Sequence, residues 1–231
     1  MTHTSQRGLL EAIVFDFDGL VLDTETSSFT TAAEVFAAHG VELSLTWWST
    51  IIGTAEHPHW SEILEAELGC AIADRDAVLA ARTARHHELI ELELLRPGVA
   101  SLLDEADAAG IPVAIASSSP EQWVLGHVER LGLSARFATV RAREHAPRSK
   151  PAPDLYLAAC AALDAAPAAS VALEDSSNGV TAAKAAGLVC VAAPCAMTEG
   201  SDLSAADLIV GSLEVVDLAA LRRLVAGQTS E

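Results

Sequence analysis

The chain has 231 residues, 51% of them hydrophobic, and carries a net charge of −18 at neutral pH from 14 basic and 32 acidic residues. That length suits one good core, or a core plus a small insert, and the apolar share excludes a disordered chain. So acidic a chain lacks the basic face that nucleic acid or an anionic membrane requires, although a bound metal can invert the local field and admit a phosphorylated small molecule.

At the N-terminus, Leu9-Leu10 is followed at once by Glu11 and then Asp16, too short and too acidic a start for a signal peptide. The run Ala12-Ile13-Val14-Phe15 reads as a buried strand. Behind it comes Asp16-Phe17-Asp18-Gly19-Leu20-Val21, the most informative stretch of the chain. Side chains two apart in an extended segment project to one side. Asp16 and Asp18 are therefore expected to converge at the strand's carboxyl end, where Gly19 lets the backbone turn. Two neighbouring carboxylates repel; a divalent metal or a shared catalytic task gives a reason to keep them together.

Residues 24–95 read as helices only, roughly 26–38, 56–68 and 75–91, broken at Gly40, Gly53 and Gly69. This is too long for a strand-to-helix connection. It predicts an all-helical cap over 24–95 inserted into a core made of 1–23 and 96–231. From Ile111 onward, strands are expected at 113–116, 137–140, 170–173, 188–191 and 208–210. They alternate with helices at 98–109, 120–131, 153–163, 177–186 and 213–225. Such alternation implies an α/β fold with a parallel sheet and right-handed crossovers. Ser119-Pro120 with Gln122 reads as an N-cap, an N1 proline and a capping-box partner, and Gly110, Gly132 and Gly187 fall where helices stop. Residues 227–231 are expected to fray.

No apolar run approaches bilayer length; the most Ala-rich, Leu155 to Leu163, is flanked by Asp154 and Asp164. Cys70, Cys160, Cys190 and Cys195 are scattered without a CxxC pair, which reads as reduced thiols in a cytoplasmic protein. A monomer or weak dimer is expected, with no nucleic-acid or membrane partner.

Four signals follow the strands in order: Asp16-x-Asp18-Gly19, Ser117-Ser118-Ser119, Ser149-Lys150-Pro151-Ala152-Pro153-Asp154, and Glu174-Asp175-Ser176-Ser177-Asn178-Gly179. All fall at carboxyl ends of strands or just before helices, so one sheet edge can gather them. The set suits phosphoryl transfer. Asp16 can attack phosphorus and form an acyl phosphate. Ser117 and Ser118, with backbone N–H groups at a helix start, can hold phosphoryl oxygens, while Ser119 reads only as a cap. Lys150 can neutralise nucleophile and phosphoryl group. Glu174 and Asp175 can help bind Mg²⁺. Asp18 can protonate the leaving oxygen and then deprotonate the attacking water.

These four motifs, in this order, resemble those of the haloacid dehalogenase-like hydrolase superfamily. Phe15–Glu25 (FDFDGLVLDTE), with a helical insert behind it, is similar to the subfamily with a small α-helical cap, which includes β-phosphoglucomutase-like proteins and phosphoglycolate phosphatases. The resemblance spans about Ile13 to Val210. It implies a Rossmann-like, doubly wound core under a mobile cap. It also implies Asp16 as nucleophile and metal ligand, and Asp18 as acid/base that gives its backbone carbonyl to Mg²⁺. Ser117 and Lys150 match the family's phosphate-binding and lysine positions, Asp175 its metal-binding acid, and Glu174 lies in or next to the metal shell. Ser149 departs from a pattern in which glycine often precedes the lysine.

Thr54, Glu56 and His57, after Gly53, correspond to a cap loop that faces the site in similar proteins and are candidates for substrate specificity. Between Thr24 and Asp74 there is no Lys or Arg, whereas a mutase needs a cap cation for a distal phosphate. A Mg²⁺-dependent phosphomonoesterase acting on a sugar or nucleoside monophosphate is therefore expected ahead of a phosphomutase. A dehalogenase needs no metal, which disfavours it, and the intact set of site residues disfavours a non-catalytic binding protein. Trp47, Trp48, Trp60 and Trp123 read as packing residues, and one of the cap tryptophans is a candidate to face substrate. Arg141, Arg143, Arg148 and Lys150 form a basic cluster that reads either as a solvated loop or as guidance for an anion.

Overall fold

Ala12–Phe15 is β1, the strand on which the molecule is built, and all four of its residues are buried. The structure is a computed structural model that describes residues 9–228. Strands β2 (Val113–Ala116), β3 (Thr139–Arg141), β4 (Ser170–Glu174), β5 (Val189–Ala192) and β6 (Leu208–Ile209) join β1 in the order β3-β2-β1-β4-β5-β6, every pair parallel. The order reverses between β1 and β4, where an open α/β sheet leaves a crevice at its carboxyl edge.

The core helices of the second half are α5 (Val99–Ala109), α6 (Glu121–Arg130), α7 (Asp154–Ala162), α8 (Ser177–Ala185) and α9 (Leu218–Gln228). On one face, Ile13, Phe15, Val113 and Ile115 pack with apolar residues of α5, α6 and α9. On the other, Val14, Ala114, Ala116 and Ala172 pack with α7 and α8. Burial on both faces explains why the strands read as unbroken apolar runs. The sheet is thus the doubly wound parallel sheet expected.

The insert forms α1 (Thr24–Ala38), α2 (Leu45–Ile51), α3 (Trp60–Leu68) and α4 (Arg75–Ile90). Ala32, Phe36, Trp48, Ile52, Trp60, Leu64 and Ile72 give it an apolar cluster of its own. Asp23 caps α1 through the Thr26 amide at 3.0 Å, so the helix begins two residues earlier than expected. The short α2 was not foreseen; Ser44 caps it by accepting from the Trp47 amide at 3.2 Å. The helix expected from 56 starts only at Trp60, with His59 as its cap.

Further details differ, and the strand expected at 137–140 forms at Thr139–Arg141. The expected 213–225 helix is a 3-10 turn over Leu213–Val215 and then α9, which Asp217 opens by accepting from the Ala220 amide at 2.6 Å. The helix α9 runs through Gln228, and residues 229–231 of the stretch expected to fray lie outside the described residues. Ser119 does not cap α6, whose flanking residue is Pro120 without a side-chain cap. No helix among the described residues is long and apolar enough to cross a membrane. The four cysteines are unpaired, three buried and Cys70 exposed.

Candidate active site

Asp16 follows β1 directly, and its amide donates to the Leu173 carbonyl of β4 at 2.9 Å, which holds it at the reversal of strand order. Glu174 ends β4 and Asp175 follows it. Carboxylate oxygens of Asp16, Glu174 and Asp175 all lie within 4.8 Å of one another, and all three residues are buried. Lys150, with no exposed surface, reaches in from the segment before α7. Its Nζ donates to Asp16 Oδ1 and, at 2.6 Å, to Glu174 Oε1. Tyr156 of α7 also donates to Glu174 Oε1 at 2.6 Å. Glu174 Oε2 accepts from the amides of Asp175 (3.1 Å) and Ser176 (3.4 Å). Both Glu174 oxygens are therefore engaged, and its clearest role is to anchor Lys150.

Burial, partly offset by Lys150 and reinforced by Glu174 and Asp175, pushes the Asp16 carboxyl well above the usual range. Burial and the Glu174 charge do the same to Asp175. Burial alone lowers the Lys150 ammonium, but Asp16 and Glu174 outweigh it and raise it. Asp175 Oδ1 is buried with no hydrogen-bond partner. An orphaned carboxylate oxygen amid three crowded acids is the environment that a hard divalent cation satisfies, so the residues present fit Mg²⁺. The close approach also explains Gly19: at φ +82°, a Cβ there would lie 2.2 Å from Asp175 Oδ2.

Asp18 lies in the same cavity as Asp16, but its carboxylate is not in the acidic cluster. Oδ2 accepts from Ser119 (2.6 Å) and Ser117 (3.2 Å), and Oδ1 from Thr24 and Trp123 (both 2.8 Å). The charge-assisted bond to Asp18 outcompetes helix capping for the Ser119 hydroxyl. Ser118 donates to the Gly53 carbonyl of the cap at 2.9 Å rather than standing free for a phosphoryl oxygen.

Core and cap enclose a cavity of about 410 Å³. Asp16, Asp18 and Ser117 to Ser119 line its core side, with Glu25, Ser28, Trp48, Gly53 to Ala55, His57, His59, Trp60 and Arg82 on the cap side and Arg143 at the core margin. Burial, with Asp18, Asp16 and Asp23 adding to it, raises Glu25 to about 8. Thr54 and His57 do line the cavity, whereas Glu56 is exposed and outside the lining. Trp48 and Trp60 both face it. The basic stretch separates: Arg143 lines the cavity, and Arg148 pairs with Asp154 at 2.8 Å.

The cap is not without a cation. Arg82 of α4 lies beyond the Thr24–Asp74 window, packs over the Trp60 ring at 5.0 Å and donates to Ser28 Oγ at 3.1 Å. Burial lowers it only to about 10, so it is charged at neutral pH. A window that stops at Asp74 ends one helix too early to see it. Thr24, Trp123 and Tyr156 were also missed as partners of the acids.

Residues 10–187 match the family model for haloacid dehalogenase-like hydrolases. The chain belongs to this family. A Bacillus subtilis protein named as a phosphatase, YhcW, is 39% identical over 80% of this chain and 84% of its own. A phosphorylated carbohydrates phosphatase of Thermotoga maritima is 30% identical over 78% of this chain and 82% of its own. A crystal structure of CbbY from Rhodobacter sphaeroides in complex with xylulose-(1,5)bisphosphate is 31% identical, covers 92% of this chain and 99% of its own, and superposes with a TM-score of 0.71. This HAD-like hydrolase is thus an enzyme whose relatives include named phosphatases, as the motifs led one to expect.

Proposed function

We propose that the protein hydrolyses a phosphomonoester of a small carbohydrate through a phosphoryl-Asp16 intermediate, with Mg²⁺ as cofactor. The observation that carries this reading is the Asp16 carboxylate, bound through Oδ1 to a fully buried lysine beside an orphaned Asp175 oxygen, facing a cavity the size of a small metabolite. Lys150 occupies Oδ1, which leaves Oδ2 to attack phosphorus. Held by Glu174 and Tyr156, Lys150 offers fixed positive charge where phosphoryl charge develops. Ser117 and the backbone N–H groups before α6 bind phosphoryl oxygens. Asp18 gives a proton to the leaving oxygen and takes one from the attacking water. Asp16, the Asp18 backbone carbonyl and Asp175 would hold Mg²⁺, which would offset repulsion between the acidic cluster and an anionic substrate.

The relatives' names support a sugar phosphate as the substrate class. Arg82 and Arg143 favour a second reading, in which the substrate carries a second anionic group, as in a bisphosphate or a mutase cycle. A panel of sugar monophosphates and bisphosphates with and without chelator tests both. Hydrolysis should need Mg²⁺ and fall about a thousandfold or more in Asp16→Asn. Activity that survives that change, or ignores chelator, overturns the mechanism. A selective loss on bisphosphates in Arg82→Ala would favour the second reading.

A further inference from the structure

The two oxygens of Asp18 are held by donors of different kinds. Those on Oδ2, Ser119 and Ser117, are hydroxyls in the cavity wall. Those on Oδ1 are the Thr24 hydroxyl and the indole N–H of Trp123, each at 2.8 Å. A hydroxyl can turn and accept when a carboxyl takes up a proton; an indole N–H can only donate. Trp123 is itself braced. His86 of the cap helix α4 stacks on it at 5.7 Å and 12°, and His127 meets it edge-on at 4.4 Å and 78°. His127 in turn stacks at 6.3 Å on Phe17, the residue between the two aspartates.

We propose that Trp123 is a positioning residue for proton transfer: its N–H fixes the Asp18 carboxyl so that Oδ2 carries the transferable proton, and the His86 stack ties this grip to the position of the cap. The inference rests on Asp18 acting as acid and base. In the step concerned, an Asp16 oxygen bonds to phosphorus and the bond from phosphorus to the leaving oxygen breaks. That oxygen takes the proton from Oδ2, and Asp18 becomes a carboxylate. When water attacks phosphoryl-Asp16, Oδ2 takes a proton from the water as the Asp16–phosphorus bond breaks. Trp123 donates to Oδ1 throughout, so the carboxyl keeps one plane in both states. Trp123 does not line the cavity and acts only through Asp18.

Comparing leaving groups tests this. A sugar alkoxide needs a proton as it departs, whereas p-nitrophenolate leaves well without one. Trp123→Phe keeps a ring for the two histidines and removes the N–H. Its kcat/KM is expected to fall about tenfold for a sugar phosphate but only about twofold for p-nitrophenyl phosphate. The loss on the sugar phosphate should fall on kcat, with KM little changed. His86→Ala, which leaves the N–H but strips the stack, should show the same bias at about threefold. Equal losses on the two substrates, or none, in Trp123→Phe overturn the proposal. Should that variant fold poorly, an unbiased result in His86→Ala overturns it. Asp18→Asn examines the premise separately: it should show the same bias, only larger, and equal losses there sink the acid/base reading rather than the role of Trp123.

Discussion

A single histidine shows how the site's surroundings bear on stability. His86 bridges cap and core, half-buried, with Nε2 enclosed and unpartnered. Burial, assisted by the Arg82 charge, lowers its imidazole from 6.5 to about 4; the Thr24 backbone and Asp18 oppose the shift only in part. A depressed base binds its proton more readily in the unfolded chain. Its contribution is therefore complete above about pH 6.5 and is lost as pH falls toward 4. Discounted for partial exposure, the amount is about 1–2 kcal/mol. Denaturant midpoints at pH 7 and pH 5 should therefore differ less in His86→Phe, which keeps a stacking ring but cannot ionise, than in the parent. An equal difference in both proteins would show that His86 does not carry this dependence.

One loop of the insert is fastened to three of the four motifs. The Asn178 amide on α8 donates to the carbonyls of Thr50 (3.1 Å) and Ile52 (2.7 Å). Ser118 donates to Gly53, and the Ala55 amide donates to Ser149 Oγ at 3.3 Å. Gly53 sits at φ +82°, and a Cβ there would lie 2.3 Å from Ser176 Oγ. Asn178→Ala removes two bonds from this latch. At about 1 kcal/mol of net worth, it should lower the unfolding free energy by no more than that amount and lower kcat/KM on a sugar phosphate by about fivefold. An unaltered kcat/KM would mean that the latch does not limit turnover. The same latch shows where the sequence was legible. The apolar runs of β1, β2, β4 and β5 were plain because burial on both faces leaves no polar residue inside a strand. The meeting of Asp16, Lys150 and Asp175 was legible because each sits in a motif at a fixed place after a strand. The partners of Asp18 and Glu174 were hidden because a hydroxyl, an indole and a phenol are ordinary residues until folding aims them. Ser149 looked like a small departure in a loop, yet its hydroxyl is a tie to the cap. The helix α2 was missed because seven residues rich in Trp and Thr carry no helical period of their own.

Across the whole molecule, the chain passes between core and insert twice, and the two passages are anchored unequally. Leu22 and Leu95 form an antiparallel bridge that ties them side by side. Just beyond, Arg96 binds the Gly19 carbonyl, and also those of Ala193 (3.2 Å) and Pro194 (2.9 Å), while its own amide donates to Val21 at 3.0 Å. Gly98 follows at φ +88°, so close to the Leu213 backbone that a Cβ would lie 2.2 Å from it. A joint so held resists rotation, so Arg96–Gly98 is a poor place for a hinge between core and insert. The exposed turn over residues 91–94, with Leu92 and Leu94 77–78% exposed, is the better place for φ/ψ change: its amides bond only back to the last turn of α4, Glu93 to the Ile90 carbonyl at 3.0 Å, and among the described residues Arg130 alone reaches its carbonyls from elsewhere. Hydrogen exchange should therefore be faster at residues 91–94 than at Arg96, whose amide bonds across to Val21. Filling the cavity with a phosphate mimic should slow exchange in the Thr50–Ala55 loop, where cap meets core, and leave Arg96 unchanged. Faster exchange at Arg96 than in the preceding turn would put the pivot at Arg96–Gly98, and the carbonyl clamp of Arg96 would then be a contact that opens with each turnover.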